Sequence, residues 1–493
     1  MAKRKKSTFE RLRDGEKLRR WERKQLDRQF QAGEPGWEVV YRNVAGIDVG
    51  NASHFVAVDP KQAGQPVREF GSWTAALNEM AVWLKSCGVK RVVMQTTGVY
   101  WIPVQDVLEK EGFEVAVVDA RGTKNLPGRK SDVQECQWIR KLDVYGLLRE
   151  SFQTPESIRK IRTIWRLRDR WVKDAGRSIQ HMQKALTTMN VQLANTISDI
   201  SGVTGMAIIR SILGGERDRW ELVKLRDGRD GRVQASVEEL AHSLEGNWRE
   251  DVLFELQQVV DSYDFQQKKI TQCDQQLERY LRVQPTRQVA GDGVAEASEV
   301  QPAAGEPQKK RRRRTTKPKP KKNQPAFDLG AELHRLMGVD LLRIEGINLC
   351  TAQVIYSEVG PDLSRFKGEG NFTSWMGLAP KRDVSGGKVI KQRSTHVANR
   401  VANALRMAAE SLKDSDSYLG ARYRSLRGRL NSGVKAVKAM ARYLGCLVYR
   451  MLTKGEAWVD RGAAYYEQKR QDRAINQLRR KAAAMGMQLV PTK

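Results

Sequence analysis

The sequence contains few cysteines and histidines and no long apolar run. Its five cysteines and five histidines are scattered through 493 residues, and no two cysteines form a CxxC pair. Neither a disulfide framework nor a Cys/His zinc site is therefore indicated. No apolar run approaches the roughly 18–20 residues that a helix needs to cross a bilayer, and the charged N-terminal residues are not followed by the apolar core of a signal peptide. We expect an intracellular protein that is not embedded in a membrane.

Acidic residues are also scarce relative to basic ones. The chain carries 87 Lys and Arg against 58 Asp and Glu, which gives a formal net charge of +29 at pH 7. A compact protein with that excess repels itself unless a polyanion shares its surface, and nucleic acid is the commonest such partner. Charge alone leaves open a ribosome-like protein or a protein bound to a membrane surface.

Changes in composition divide the chain into six segments, and the length alone predicts two or three domains. Ten of the fourteen residues at 309–322 are Lys or Arg, so this block should stay unfolded until it meets a polyanion. The long amphipathic patterns before it predict an antiparallel coiled-coil pair. The predicted segments are a basic N-terminal extension (1–43), an α/β domain (44–150), a helical coiled-coil region for dimerisation (151–285), a basic disordered linker (286–326), a second, mainly α-helical globular domain (327–460) and a basic helical tail (461–493).

The segment 44–150 shows the pattern of a mixed α/β domain. Short apolar runs bounded by turn residues predict strands, and apolar positions repeated every three to four residues predict helices between them. The predicted order is three strands, then helix, strand, helix, strand and helix, which is the order of the ribonuclease-H-like fold. The strands are expected in VAGIDVG, HFVAVD, VREFGSW, RVVMQ and FEVAVVDA.

Four oxygen-bearing side chains are expected to meet in this domain. Asp48 lies at the end of the first strand and Gln95 at the end of the fourth, while Asp132 and Glu135 share one face of the last helix. The first and fourth strands are neighbours in a ribonuclease-H-like sheet, so these side chains should converge. Hard cations such as Mg²⁺ prefer oxygen ligands, and a pair of them can assist phosphodiester cleavage. Taken singly, each residue is as typical of a cap, a turn or a solvated helix face.

Two longer groups of motifs resemble one family of insertion-sequence transposases. The first group contains MQTTGVYWIPVQDVLE and VDARGTKNLPGRKSDVQECQWIRKL, and the second contains LLRIEGINLCTAQVIYSEVG and FTSWMGLAPKRDVSGGKVIKQRSTHVANRVANALRMAA. Over roughly 44–215 and 330–455 the chain resembles the DEDD family, often called IS-one-ten, with a RuvC-like nuclease domain followed by a serine-bearing transposase domain. The resemblance implies a DNA recombinase that excises and inserts its own mobile element in the cytoplasm of a bacterial or archaeal cell.

The resemblance also implies four acidic ligands for Mg²⁺ or Mn²⁺. Asp48 matches the first ligand and Asp132 the third. Glu135 stands where the family usually has Asp, and Gln95 stands where it has Glu. An amide oxygen can still bind Mg²⁺, but it is neutral, so we expect weaker metal binding. A natural variant, a substitution that blocks catalysis and an inactive copy all remain open.

A nucleophilic serine is the other catalytic element that the resemblance implies. It is Ser385 in DVSGGKV, expected to act with the metal site as one composite centre. Gly386 and Gly387 would let a phosphate or a backbone approach closely, and Lys388 would neutralise a phosphate. A plain hairpin turn is the alternative interpretation of the two glycines. Further candidate nucleic-acid contacts, each equally typical of surface charge, are Lys381, Arg382, Lys391, Arg393, Arg129 and Lys130.

The stretch RIEGINLCTAQVIYSEVG looks like a helix–hairpin–helix. Its turn contains Gly346 and Asn348, and it would present backbone N–H groups to a phosphate at the start of a helix. A corner packed in a core is the alternative interpretation. Asn348 stands where the usual turn has a second glycine, which predicts a less close approach.

Three hypotheses follow for the function. The first is a recombinase that acts on donor and target DNA, for which the resemblance implies guidance by a structured RNA encoded by the element. The long helices suggest that it works as a homodimer or tetramer. The second is a structure-specific nuclease of the Holliday-junction type without serine chemistry. The third, motivated by Gln95, is a catalytically weakened nucleic-acid-binding scaffold.

Overall fold

The computed structural model describes residues 38–96, 98–119, 131–226, 235–288, 323–385, 388–394, 399–455 and 462–488, together with a few isolated positions. Most of the extension 1–43 and of the linker 286–326 lies outside these residues. So do four candidate nucleic-acid contacts, Arg129, Lys130, Gly386 and Gly387. The chain divides into two compact units, Met1–Gln153 and Thr154–Lys493.

The first unit is built on a five-stranded mixed sheet in the order β3-β2-β1-β4-β5. Strand β1 pairs antiparallel with β2 and parallel with β4, so the predicted neighbourhood of the first and fourth strands is confirmed. The predicted element order and the ribonuclease-H-like fold class are confirmed as well. The elements are β1 (Val44–Val49), β2 (Ser53–Ala57), β3 (Val67–Gly71), α1 (Thr74–Ser86), β4 (Arg91–Gln95), α2 (Trp101–Lys110), β5 (Glu114–Val118) and α3 (Asp132–Val144).

Helix α3 packs directly on strand β1. Residues of β1 alternate between two faces, and Ile47 lies in the core on the face away from α3. On the other face, a Cβ added at Gly46 would overlap the carbonyl oxygen of Cys136 in α3. The missing side chain therefore allows this close approach, and Asp48, two residues further along the same face, is brought to the first turn of α3.

A buried ion pair fixes the far end of α3 to the sheet. The Nε–H of Arg91 donates to Oδ2 of Asp143 at 2.7 Å, and both side chains are buried. Arg91 also donates to Glu150 at 2.6 Å and lies over the ring of Tyr41. Removing one partner of such a pair leaves a buried charge and costs about 3–5 kcal/mol. Arg91 and Asp143 thus stabilise the orientation of the helix that carries Asp132.

The second unit is mainly helical. Its described elements are α4 (Glu156–Thr188), α5 (Leu193–Thr196), α6 (Val203–Leu213), α7 (Arg219–Lys224), α8 (Val237–Ser243), α9 (Glu250–Arg282), α10 (Leu329–Met337), a 3₁₀ turn (Leu341–Arg343), α11 (Leu349–Val359), α12 (Glu369–Trp375), β6 (Pro380–Ser385), β7 (Lys388–Ser394), α13 (Arg400–Glu410), α14 (Tyr418–Leu430), α15 (Gly433–Lys454) and α16 (Gly462–Ala484). None of the described helices combines the length and the apolar character that crossing a bilayer requires.

The two longest helices, α4 and α9, pack side by side. Arg168 pairs with Asp274, and Oγ–H of Ser178 donates to Oε1 of Gln266 at 3.0 Å. The residue that comes later on α4 contacts the one that comes earlier on α9, so the two helices run antiparallel, as predicted. Their apolar faces form one core with the short helices between them. The role of this pair in dimerisation stays a prediction.

Candidate metal centre and serine hairpin

Asp48, Gln95, Asp132 and Glu135 line one cavity of about 390 Å³ in the first unit. Asp48 comes from β1, Gln95 from the end of β4, and the other two from the first turn of α3. The four side chains that the sequence predicted to converge are therefore neighbours. The N-terminus of α3 favours negative charge, and Ser131 caps it by accepting the N–H of Gln134.

The cavity combines burial with an excess of negative charge, and both act on Asp48. Burial raises the pKa of Asp48 from its ordinary value of 3.8 to about 6, and the neighbouring charges of Glu135 and Asp132 contribute in the same direction. A hydrogen bond from the backbone N–H of Val49 opposes the shift. A nearby cation would remove the repulsion, since an opposite charge favours the ionised carboxylate.

Gln95 already has a partner inside the cavity. Its Nε2–H donates to Oε1 of Glu135 at 2.8 Å, and its side chain is buried. A glutamate at this position would place a second carboxylate against Glu135 and repel it. The amide instead compensates part of the charge of Glu135 without a metal ion.

The chemistry of these side chains fits a hard divalent cation. Three carboxylates and one amide group offer oxygen donors, which are the ligands that Mg²⁺ and Mn²⁺ prefer. Within the described part of the chain, no three His, Cys, Asp or Glu side chains stand close enough to form a metal site by themselves. The carboxylates share the cavity but do not close on one point.

Sequence reasoning overlooked the turn between β1 and β2. Gly50, Asn51, Ala52 and Ser53 line the same cavity and contribute an amide and a hydroxyl group. The run GNAS after the strand was a sufficient signal, because a turn that follows Asp48 by two residues must lie at the same edge of the sheet.

Ser385 ends strand β6 of a two-stranded antiparallel sheet in the second unit. Its register partner is Lys388, the first residue of β7, so the connection between the strands consists of Gly386 and Gly387. The two strands therefore pair antiparallel up to the candidate nucleophile, Ser385, and its partner Lys388. The register pairs Lys381 with Arg393, Arg382 with Gln392, and Asp383 with Lys391.

For the segment around Gly346 the sequence left two interpretations open, a helix–hairpin–helix and a packed corner. The element before the turn is the single 3₁₀ turn Leu341–Arg343 and not a helix. A Cβ at Gly346 would lie 2.6 Å from the carbonyl oxygen of Ala408 in α13, so the glycine serves close packing of the backbone. Asn348 caps α11, accepting the N–H of Thr351 on its Oδ1 at 2.9 Å. These contacts favour the packed corner over an open phosphate site.

Comparison with protein-family models gives two matches, one after the other along the chain. Residues 45–191 match the IS110 DEDD transposase domain, and residues 340–424 match the transposase domain of the IS116/IS110/IS902 family. No curated protein sequence matches the chain. The first match contains the acidic cavity, and the second contains the serine hairpin. Two domain models of one family, matched in this order along one polypeptide, support membership of the IS110 family of transposases.

Proposed function

We propose that this transposase cuts and rejoins the DNA of its own mobile element with a composite centre made of the acidic cavity and Ser385. The observation that carries the proposal is the convergence of Asp48, Asp132 and Glu135 on one cavity together with Gln95. In this proposal the three carboxylates and the Gln95 amide oxygen hold Mg²⁺ or Mn²⁺. When bound, the ion supplies positive charge that activates an attacking oxygen and stabilises a leaving oxygen.

Ser385 is the proposed nucleophile. Its Oγ attacks the scissile phosphorus, the bond from phosphorus to the leaving strand breaks, and that strand departs as a free hydroxyl. The resulting phosphoserine ester conserves the bond energy, so a strand hydroxyl can attack it, release Ser385 and complete the transfer. Lys388, its register partner, and the basic residues along both strands are the proposed contacts to the phosphates of the scissile strand.

Replacing Ser385 by Ala tests this chemistry. Wild-type protein, mixed with end-labelled element DNA and Mg²⁺ and then denatured, should carry a covalently attached strand, whereas S385A should form neither the adduct nor the transferred product. The control is S394A, a serine at the open end of the same hairpin, which should keep both activities. Strand transfer by S385A would overturn the serine mechanism, and metal-dependent cleavage by S385A without transfer would favour a Holliday-junction-like nuclease.

The proposed partners are donor DNA, target DNA and a guide RNA encoded by the element, acted on by a dimer or tetramer. The charge of +29 supports a polyanionic partner but does not distinguish RNA from DNA. Sequencing the nucleic acid that co-purifies with the protein tests the guide. One discrete structured RNA would support it, and random fragments would contradict it.

The hydrogen bond from Gln95 to Glu135 favours a second candidate, a scaffold that binds nucleic acid with little catalysis. In that case the cavity is partly satisfied without metal. Cleavage that stays absent over a full Mg²⁺ titration, in both the wild-type protein and Q95E, would support the scaffold. Metal-dependent cleavage by the wild-type protein would exclude it.

A further inference from the structure

A cluster of arginines lies on helices α4, α11 and α13 of the second unit. Arg162 and Arg166 stand one turn apart on α4, and Arg400 is the first residue of α13. The buried carboxylate of Glu358, near the end of α11, lies among them. Neither the acidic cavity nor the serine hairpin uses these residues, and we call them the arginine cluster.

Glu358 is held by Arg166 in a two-pronged pair. The Nε–H of Arg166 donates to Oε1 at 2.8 Å, and the Nη2–H donates to Oε2 at 2.6 Å. The side chain of Arg166 is 44% exposed, whereas that of Glu358 is 8% exposed. Arg166 thus presents its guanidinium at the surface while its best hydrogen-bonding edge faces an internal carboxylate. That edge fits a phosphate in the same geometry.

Arg400 adds a second surface guanidinium. Its Nη1–H donates to Oδ2 of Asp169 at 3.0 Å, and its Nε lies 3.9 Å from Oε1 of Glu358. Its side chain is 46% exposed. Asp169 also accepts a hydrogen bond from Lys173, so it compensates Arg400 only in part.

Arg162 lies in the same cluster with its corresponding edge unused. Its Nε and Nη2 atoms are sealed from solvent and have no hydrogen-bond partner. Burial lowers the pKa of Arg162, the charge of Glu358 opposes this, and the charges of Arg166 and Arg159 add to it. Buried donors without an acceptor cost free energy. The carboxylate of Glu358 therefore lies among the guanidinium groups of the cluster, and only Arg166 forms a two-pronged hydrogen-bonded pair with it.

Two alternative positions of the Glu358 side chain would account both for its pair with Arg166 and for the unused donors of Arg162. We propose that Arg166 and Arg400 bind a phosphate of a nucleic acid, that Glu358 takes the place of that phosphate in the free protein, and that Glu358 turns to the unused edge of Arg162 when the phosphate arrives. The unsatisfied donors of Arg162 gain an acceptor in this exchange, which offsets the loss of the pair between Arg166 and Glu358. The proposal rests on the proposed function only in taking nucleic acid as the partner.

The Arg282–Glu278 pair on α9 provides matched controls. It is also an ion pair between an exposed arginine and a less exposed glutamate, at 2.6 Å, with Glu278 30% exposed and Glu358 8% exposed, and it lies outside the arginine cluster. R282Q therefore removes the same charge as R166Q, and E278Q removes the same charge as E358Q. A difference in binding between R166Q and R282Q, or between E358Q and E278Q, therefore reflects a property of the arginine cluster and not the change in net charge.

The first experiment measures the salt dependence of binding. The full chain, freed of nucleic acid, is titrated by fluorescence anisotropy with labelled 20-base-pair DNA, single-stranded DNA and a folded RNA at several salt concentrations. R166Q should weaken binding about tenfold and reduce the slope of log K against log salt by about 0.9 on duplex DNA or about 0.7 on a single strand. The probe with the larger loss identifies the source of the phosphate. Equal losses for R166Q and R282Q on every probe would overturn the proposal.

The second experiment tests the exchange of Glu358. E358Q removes the internal competitor and should tighten binding about threefold or more, beyond any gain in E278Q. R162Q should weaken binding in the wild-type background but not in the E358Q background, because Arg162 acts only by donating hydrogen bonds to the displaced carboxylate of Glu358. Equal effects of R162Q in both backgrounds would overturn the exchange.

Thermal unfolding of each variant separates these effects from misfolding. Should E358Q or R162Q unfold below the assay temperature, the comparison of R166Q with R282Q still tests the phosphate site. Both experiments measure binding without cleavage. A transposase that binds normally but fails to cut would therefore contradict the proposed chemistry and leave the arginine cluster unaffected.

Discussion

The acidic cavity and the arginine cluster both bring like charges together at partly buried positions, negative charges in the cavity and positive charges in the cluster. In the cavity, Glu135 and Asp132 add to the effect of burial in raising the pKa of Asp48. In the cluster, neighbouring arginines add to the effect of burial in lowering the pKa of Arg162. Each region collects like charges that repel one another in the free protein. Such an arrangement is stable only in part without a counter-charge, a small cation in one region and a phosphate in the other.

The two regions differ in the side chain that compensates their charge in the free protein. Gln95 is neutral, and it relieves Glu135 with a single hydrogen bond. Glu358 is a carboxylate that binds both prongs of Arg166. The cavity therefore keeps most of its excess charge, whereas part of the charge of the cluster is neutralised by an internal ion pair. We expect a cation to enter the cavity without displacing a competing charge, and a phosphate to enter the cluster only by exchange.

The largest expected effect separates cutting from binding. D48A should reduce DNA cleavage about a thousandfold or more, because charge stabilisation at a metal site contributes several kcal/mol to the transition state. Its affinity for duplex DNA should stay within about twofold of the wild type, whereas R166Q should lose affinity. Cleavage rates and anisotropy on the same DNA check both. Cleavage by D48A at the wild-type rate would remove the cavity from the mechanism.

An intermediate effect is expected when the neutral group of the cavity becomes charged. Q95E adds a fourth carboxylate and should lower the Mg²⁺ concentration for half-maximal cleavage about tenfold, since each added ligand charge strengthens the attraction for the ion. Without metal it should lower the melting temperature, because the new carboxylate would repel Glu135. The control is Q137E, which adds the same charge on an exposed position of α3. Equal shifts in the two variants would contradict a role for residue 95 inside the cavity.

The smallest effect concerns stability and pH in the absence of metal. The folded protein holds a proton on Asp48 up to about pH 6, whereas an ordinary aspartate releases it near 3.8. The free energy of unfolding from this group should therefore fall as the pH rises from about 4 to above 6. D48N should show a flatter profile over that range and melt higher than the wild type at pH values above about 7. Thermal melts in EDTA measure this, and parallel profiles for both proteins would contradict the raised pKa.

The sequence predicted the α/β fold and the neighbourhood of its four candidate side chains. The sheet pattern was sufficient because strand periodicity and the parallel pairing of β1 with β4 fix which strand ends meet. For the segment around Gly346 the sequence left a helix–hairpin–helix and a packed corner open, and the contacts of Gly346 and Asn348 favour the corner. Local apolar spacing does not identify the backbone that packs against Gly346, because that backbone belongs to a distant helix.

The acidic cavity and the arginine cluster also show which features of this protein could be predicted from its sequence and which could not. The sequence by itself determined the element order and the charge excess, because these follow from short-range patterns, and its resemblance to a transposase family pointed to the residues proposed to carry the metal chemistry. Only the tertiary structure decided that the Gln95 amide donates to Glu135, and that Glu358 pairs with Arg166, which precedes it by 192 positions in the chain. Those contacts depend on which helix faces pack together, and periodicity identifies a buried face without identifying its partner.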